Sequence, residues 1–236
     1  MKLRSMMFVG AAALTTAALA TDVLTDKTLG WMRVDSTLPI TAVGVPWTDV
    51  SDPTANVKVA DLVKTDNLTD GDNLYVYNNG TWTFYTLSSG AWVAGTTANS
   101  SITATAGNPS EATIARGQAL YLERQNPTTP GYFYVYGADG EAISSTTLTG
   151  ATKYLVASPK AAAFTVTSAK ISGASNKDVI QVPLTGGNSR IYQYFSKQGK
   201  WRCNGKWEDA AGYEAIPLGT GFWYIASSTD AVTVTW

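Results

Sequence analysis

Beyond residue 20, apolar and polar residues alternate in short runs, and the alternation breaks every five to seven residues at turn-forming clusters. "NLYVYNNGTWTFYTLSSGAWVAG", Asn73 to Gly95, shows the pattern: three apolar-rich segments separated by "NNG" and "SSG". Asn-Gly and Ser-Gly favour tight hairpin turns, because the turn positions need positive φ. In the second half "SKQG" and "CNG" do the same at Gly199 and Gly205. The period of two predicts β-strands throughout. Only "ANVKVADLVKTDNL" allows a helix, and then a single turn.

The strand pattern also repeats. "IARGQALYLE" (Ile114–Glu123) and "IPLGTGFWYI" (Ile216–Ile225) share one grammar: an apolar residue, two spacers, Gly, a spacer, a small residue, then bulky apolar residues. "TAVGVP", ending at Pro46, resembles "YLVASP", ending at Pro159. A gap-free match lays Asp61–Tyr77 on Asp178–Tyr194, which pairs Tyr75 with Tyr192 and Tyr77 with Tyr194. Each copy then has two tryptophans near turns, Trp82 and Trp92 or Trp201 and Trp207. Each ends in an alternating strand, at Tyr136 or Trp236. The first copy inserts "AGTTANSSITATAGNPSEA" after Trp92. Repeats at this spacing point to duplicated supersecondary units.

The predicted fold is therefore all-β. It has two similar tandem units, residues 21–140 and 141–236, each a small antiparallel sandwich or partly open barrel. The connection "GADGEAISS" is short, so the units are expected to touch. An outer-membrane barrel is the alternative, since "AVTVTW" ends on an aromatic residue. Membrane-spanning strands need about 9–11 residues, and most runs here break sooner.

Residues 1–20, "MKLRSMMFVGAAALTTAALA", have Lys2 and Arg4, a short apolar run, and Ala18-Leu19-Ala20. This is the layout of a cleaved secretory signal. It predicts export to the cell envelope or medium, with no transmembrane segment left after cleavage. The single cysteine, Cys203, rules out a disulfide within one chain, so the mature protein rests on its core. Cys203 reads as a small strand residue.

Composition narrows the chemistry. The 236 residues are 44% hydrophobic and only 15% charged, with a formal net charge of −1. That balance gives no general attraction to nucleic acid. The sequence holds no histidine, which removes imidazole acid–base chemistry and the commonest metal ligand. No phosphate-binding glycine loop or cofactor motif occurs. Glu111, Glu123, Glu141, Glu208 and Glu214 are candidates for a glycosidase-type pair, but none recurs between the copies. Asp66, Asp70 and Asp72, with Asn73 and Gly71 beside them, form an oxygen-rich stretch that suits calcium or an Asx-rich turn.

Aromatic residues are the richest signal, with eight tryptophans and twelve tyrosines. Trp82, Tyr85, Trp92, Trp201 and Trp207 lie near predicted turns. They are candidate sugar-stacking rings, or else fillers of the space between sheets. "RIYQYFSKQGKWRCNGKW" gathers Arg190, Lys197, Lys200, Arg202 and Lys206, a pattern that suits polyanions or a guarded sheet edge.

The segments "GDNLYVY…GTW…GAW" and "RIYQYF…GKW…GKW", the signal sequence and the phrase at Gly117 and Gly219 together resemble uncharacterised secreted two-copy β proteins of large bacterial paralogous families. The resemblance implies an exported structural protein and assigns no catalytic residue. The expected function is a non-enzymatic cell-surface or extracellular structural or adhesive component. Polysaccharide or other envelope proteins would be its partners. A carbohydrate-binding module using exposed Trp and Tyr is the alternative.

Overall fold

The computed structural model describes residues 29–236, apart from 36–37, 53, 79, 97–101, 140–142, 161 and 185–187. Residues 1–20, read above as a secretory signal, lie outside the described residues. So does the junction at 140–142.

The first half contains β1 (Leu29–Asp35), β2 (Ile40–Gly44), β3 (Val57–Lys58), one helical turn α1 (Val59–Leu62), β4 (Val63–Lys64) and β5 (Asn73–Asn78). It continues with β6 (Thr81–Ser88), β7 (Ala91–Ala94), β8 (Thr105–Ala106), β9 (Thr113–Ile114), β10 (Ala119–Glu123) and β11 (Tyr132–Ala138). The second half contains β12 (Ser145–Leu148), β13 (Lys153–Val156), β14 (Ile171–Ser172), β15 (Val179–Pro183) and β16 (Ser189–Phe195). It ends with β17 (Lys200–Cys203), β18 (Lys206–Trp207), β19 (Phe222–Ile225) and β20 (Val232–Thr235). The protein is all-β, as the alternation predicts, and the larger sheets are antiparallel throughout except where the short β8 runs parallel to β6.

Each half builds two main sheets around its own core, and in the first half β3 and β9 add a two-stranded sheet. In the first, the order β2-β10-β5-β6-β7 faces the order β1-β11-β4. In the second, β13-β19-β15-β16-β17-β18 faces β12-β20-β14. The path β2-β10-β5-β6-β7 runs in the same order as β13-β19-β15-β16-β17, while β8 of the first half and β18 of the second have no counterpart. Every order is linear, so no sheet of the described residues closes into a barrel. Leu74, Leu120, Leu122, Phe133 and Val135 fill the first core, and Ile180, Tyr192, Trp201, Phe222 and Tyr224 the second.

Register corrects the sequence alignment. Leu74 stands opposite Leu122, and Ile180 opposite Tyr224. Tyr75 therefore occupies the place of Gln181, not that of Tyr192. Tyr192 lies on β16, one strand further along the sheet. The gap-free match joined two successive strands of the hairpin, because any strand with alternating tyrosines fits another at a period of two. The last strands also slip by one. Val135 faces Val63 and Val234 faces Ile171, which sets Tyr136 level with Thr235 and not with Trp236.

The pair that does correspond is Asp72 and Asp178, each buried at the entrance to a hairpin. Asp72 Oδ2 accepts the Thr69 N–H at 3.0 Å, and Oδ1 the Gln125 N–H at 2.7 Å. Asp178 Oδ2 accepts the Ser175 N–H at 2.9 Å, and Oδ1 the Ser227 N–H at 2.7 Å. Both carboxylates thus tie the hairpin entrance to the segment leaving the central strand. The residue before each has positive φ, 96° at Gly71 and 75° at Lys177.

Buried tyrosines give the fold a pH limit. Burial pushes the Tyr192 hydroxyl up to about 12 from 10.0, against the Arg190 guanidinium, which lowers it, and burial raises Tyr213 and Tyr224 as well. The folded state holds these protons more tightly than the unfolded chain. Their contribution is fully present below pH 10 and is lost as pH rises toward about 12. Urea unfolding across pH about 8 to 12, followed with tyrosinate absorbance, should show constant stability and then a fall above about 10. Constant stability through the whole range would contradict this.

Candidate functional site

The repeated phrase lies where the two halves meet. Gly117 and Gly219 both adopt positive φ, 86° and 72°. Each turns its carbonyl toward the other half. Ala157 N–H donates to Gly117 O at 2.8 Å, and Gly44 N–H donates to Gly219 O at 2.8 Å. Isolated bridges join Gln118 to Val156 and Thr220 to Val43. These contacts exchange matching positions of the two phrases, so the junction contacts follow a local two-fold axis. At that axis the small residues are required. A Cβ on Gly221 would sit 2.6 Å from Ala119 Cβ, and one on Gly44 would sit 2.6 Å from Ala157 Cβ.

Beside the axis lies an aromatic cluster of Tyr77, Trp82, Tyr121 and Trp223. Trp82 is 5.1 Å from Tyr121, and Tyr77 is 4.9 Å from Trp223, centroid to centroid. Trp223 Nε1–H donates to the Tyr121 hydroxyl at 2.6 Å. Tyr121 and Trp223 are equivalent positions of the two phrases.

The candidate rings do not form a common platform. Tyr85 and Trp92 are buried in the first core, where Trp92 Nε1–H donates to Val63 O at 3.3 Å. Trp201 is fully buried in the second. Trp82 is half-buried in the junction cluster. Trp207 is half-buried against Phe195, with the Arg202 guanidinium 5.4 Å from its ring centroid. The parity of each strand decides this: in "KWRC" the charged Lys200 and Arg202 take the solvent side and send Trp201 inward.

The aspartates do not converge either. Asp72 is occupied by backbone N–H groups, Asp70 accepts the Ser89 N–H at 2.9 Å, and Asp66 lies apart from any such cluster. Among the described residues no three His, Cys, Asp or Glu side chains gather as a metal site. Asp72 and Asp70 hold backbone N–H groups of their own turn and of neighbouring segments. Of the glutamates, Glu123 is buried and accepts from Tyr75 OH at 2.7 Å and Asn73 Nδ2 at 3.1 Å. Glu208 caps Trp201 N–H and Ser168 N–H, and Glu214 pairs with Arg190. Glu111 is exposed, and Glu141 lies outside the described residues. Cys203 is buried in β17, and burial, then Glu214, raises its thiol pKa.

The exposed aromatic surface lies where no candidate was placed. β11 points Tyr132, Tyr134 and Tyr136 to the outside, while Phe133 and Val135 enter the core. Trp31, 61% exposed, stands opposite Tyr136 on β1 and meets Tyr134 edge-on at 5.3 Å. Arg33 lies 4.1 Å over Tyr132, and Lys64 lies 4.6 Å over Tyr136. The signal was present in "YFYVY", but both faces of that strand are bulky, so the sequence does not tell which face is wet. No family model, curated protein or solved structure matches the chain.

Proposed function

We propose that the protein is an exported, non-enzymatic structural and adhesive component of the cell surface or extracellular space. One observation carries the adhesive part: the strip of exposed Trp31 and half-buried Tyr132, Tyr134 and Tyr136, flanked by Lys64 and by Arg33, which is itself paired with Asp35. Rings in a row on a sheet face supply broad contact area, and flanking cations and hydroxyls supply polar contacts. The same strip supports carbohydrate binding as the second reading, through rings other than those near the hairpin turns. The export part rests on the leader sequence. The shared strand order and the exchanged hydrogen bonds support a tandem duplication of one sheet unit.

The test is retention of the purified mature chain on intact cells and on isolated envelope polysaccharide. Trp31→Ala and Tyr134→Ala are expected to weaken retention by about tenfold, the loss of about 1.4 kcal/mol. The melting temperature of Trp31→Ala should stay unchanged, since its ring is exposed, and that of Tyr134→Ala should fall only slightly, since its half-buried ring lies on the outer face. Retention equal to wild type in both variants would remove the adhesive reading.

A further inference from the structure

The two halves treat the outer face of their larger sheet differently. In the first half Asn73, Tyr75, Phe84, Thr86 and Glu123 are all buried on that face. The start of the insertion lies over them. A Cβ on Gly95 would sit 2.4 Å from the Phe84 ring, and Thr96 N–H donates to Thr86 Oγ1 at 3.2 Å. The second half has no such insertion. Val179, Gln181, Gln193 and Ile225 are half-buried at the matching places, and Ile191 is 42% exposed where Phe84 is 7%.

Pairing places one row of side chains straight across this open face: Lys153, Ile225, Val179, Gln193, Arg202 and Trp207. We propose that this row binds a negatively charged polysaccharide lying across the strands. The proposal rests on the exported, adhesive reading above and names the partner's chemistry.

Charge comes first. Exposed cations stand toward either end of the row, and the outward positions of β13 and β15 to β19 hold no carboxylate. Lys153 Nζ lies 4.2 Å from the Trp223 ring centroid, and Arg202 lies over Trp207. A ring steadies a cation without neutralising it, so both charges remain available. Lys200, by contrast, is already paired with Asp209 at 2.7 Å. Four strand spacings separate Lys153 from Arg202, about 19 Å, which suits several linked sugars each carrying an acid.

The surface between the cations suits sugars. Gln181 and Gln193 offer amide donors and acceptors to hydroxyl groups. Val179, Ile225 and Ile191 present flat apolar area to ring C–H groups. Nucleic acid fits less well, because base stacking needs bare aromatic faces. Here Lys153 covers Trp223, which is only 6% exposed, and Arg202 covers Trp207.

The experiment uses the mature chain with polygalacturonate as the acidic probe, dextran as the neutral one and single-stranded DNA as the other polyanion. Polygalacturonate should bind, and more weakly as salt rises. Lys153→Ala with Arg202→Ala should weaken it by about tenfold or more at unchanged melting temperature, as Coulombic contacts at an exposed surface allow. Lys58→Ala, which removes an exposed cation of the other half, should leave it unaltered. Equal binding of dextran, tighter binding of DNA, or full binding by the double variant would overturn the assignment. If polygalacturonate fails to bind while Trp31-dependent adhesion persists, this inference falls and the adhesive reading stands.

Discussion

Replacing Asp178 with alanine is expected to destabilise the second half severely. Its two oxygens accept four hydrogen bonds: Ser175 N–H, Tyr224 OH, Ser227 N–H and Ser227 Oγ–H. The residue is 1% exposed, so water does not readily replace the lost acceptor. Bonds to a charged acceptor are worth about 1.5–3 kcal/mol each, and stranded buried donors cost about 1–3 kcal/mol more. Allowing for relaxation, the expected loss is about 4 kcal/mol, a large share of an ordinary domain's stability. Asp178→Asn should cost about half as much, because one carbonyl oxygen still accepts. Asp72→Ala should cost less than Asp178→Ala, since the Asp72 carboxylate accepts from Thr69 and Gln125 alone among the bonds described. Chemical denaturation of the three variants gives the ranking. An Asp178→Ala protein of wild-type stability would show that the carboxylate does not hold the hairpin entrance.

The second large effect is expected at the junction. In Gly221→Ala the new methyl meets Ala119 Cβ at 2.6 Å, closer than two carbons can stand. The backbones there are already held by Gly44 N–H to Gly219 O and by Ala157 N–H to Gly117 O. Overpacking of this kind costs about 1–3 kcal/mol. Because Gly221 and Ala119 face each other at equivalent positions, the methyl can change sides. The double variant Gly221→Ala with Ala119→Gly should return close to wild-type stability, a coupling that a double-mutant cycle reads directly. Additive losses would mean that the two positions do not share one space.

The strand class was legible because polar and apolar residues alternate and turn glycines punctuate them. Gly80, Gly90, Gly199 and Gly205 all have positive φ, as hairpin turns need. "TAVGVP" and "YLVASP" take matching places, with Val43 opposite Leu120 and Val156 opposite Phe222. Tyr75 and Tyr192 misled because aromatic alternation looks alike on neighbouring strands. Asp72 looked like an oxygen ligand because a buried turn cap and a calcium loop share composition. The junction was hidden because much of it is made of backbone hydrogen bonds, which no side-chain pattern announces. The open face of the second half was hidden for another reason. It follows from an insertion on the first half, and only register shows which residues that insertion covers.

Amide hydrogen exchange at Gly44 and Ala157 tests the clasp between the halves most directly. The two N–H groups make the exchanged pair of hydrogen bonds across the local two-fold axis, each at 2.8 Å. Both should be strongly protected, to similar degrees, and both should lose protection together in Gly221→Ala. Fast exchange at either amide in the folded wild-type protein would contradict a symmetric clasp.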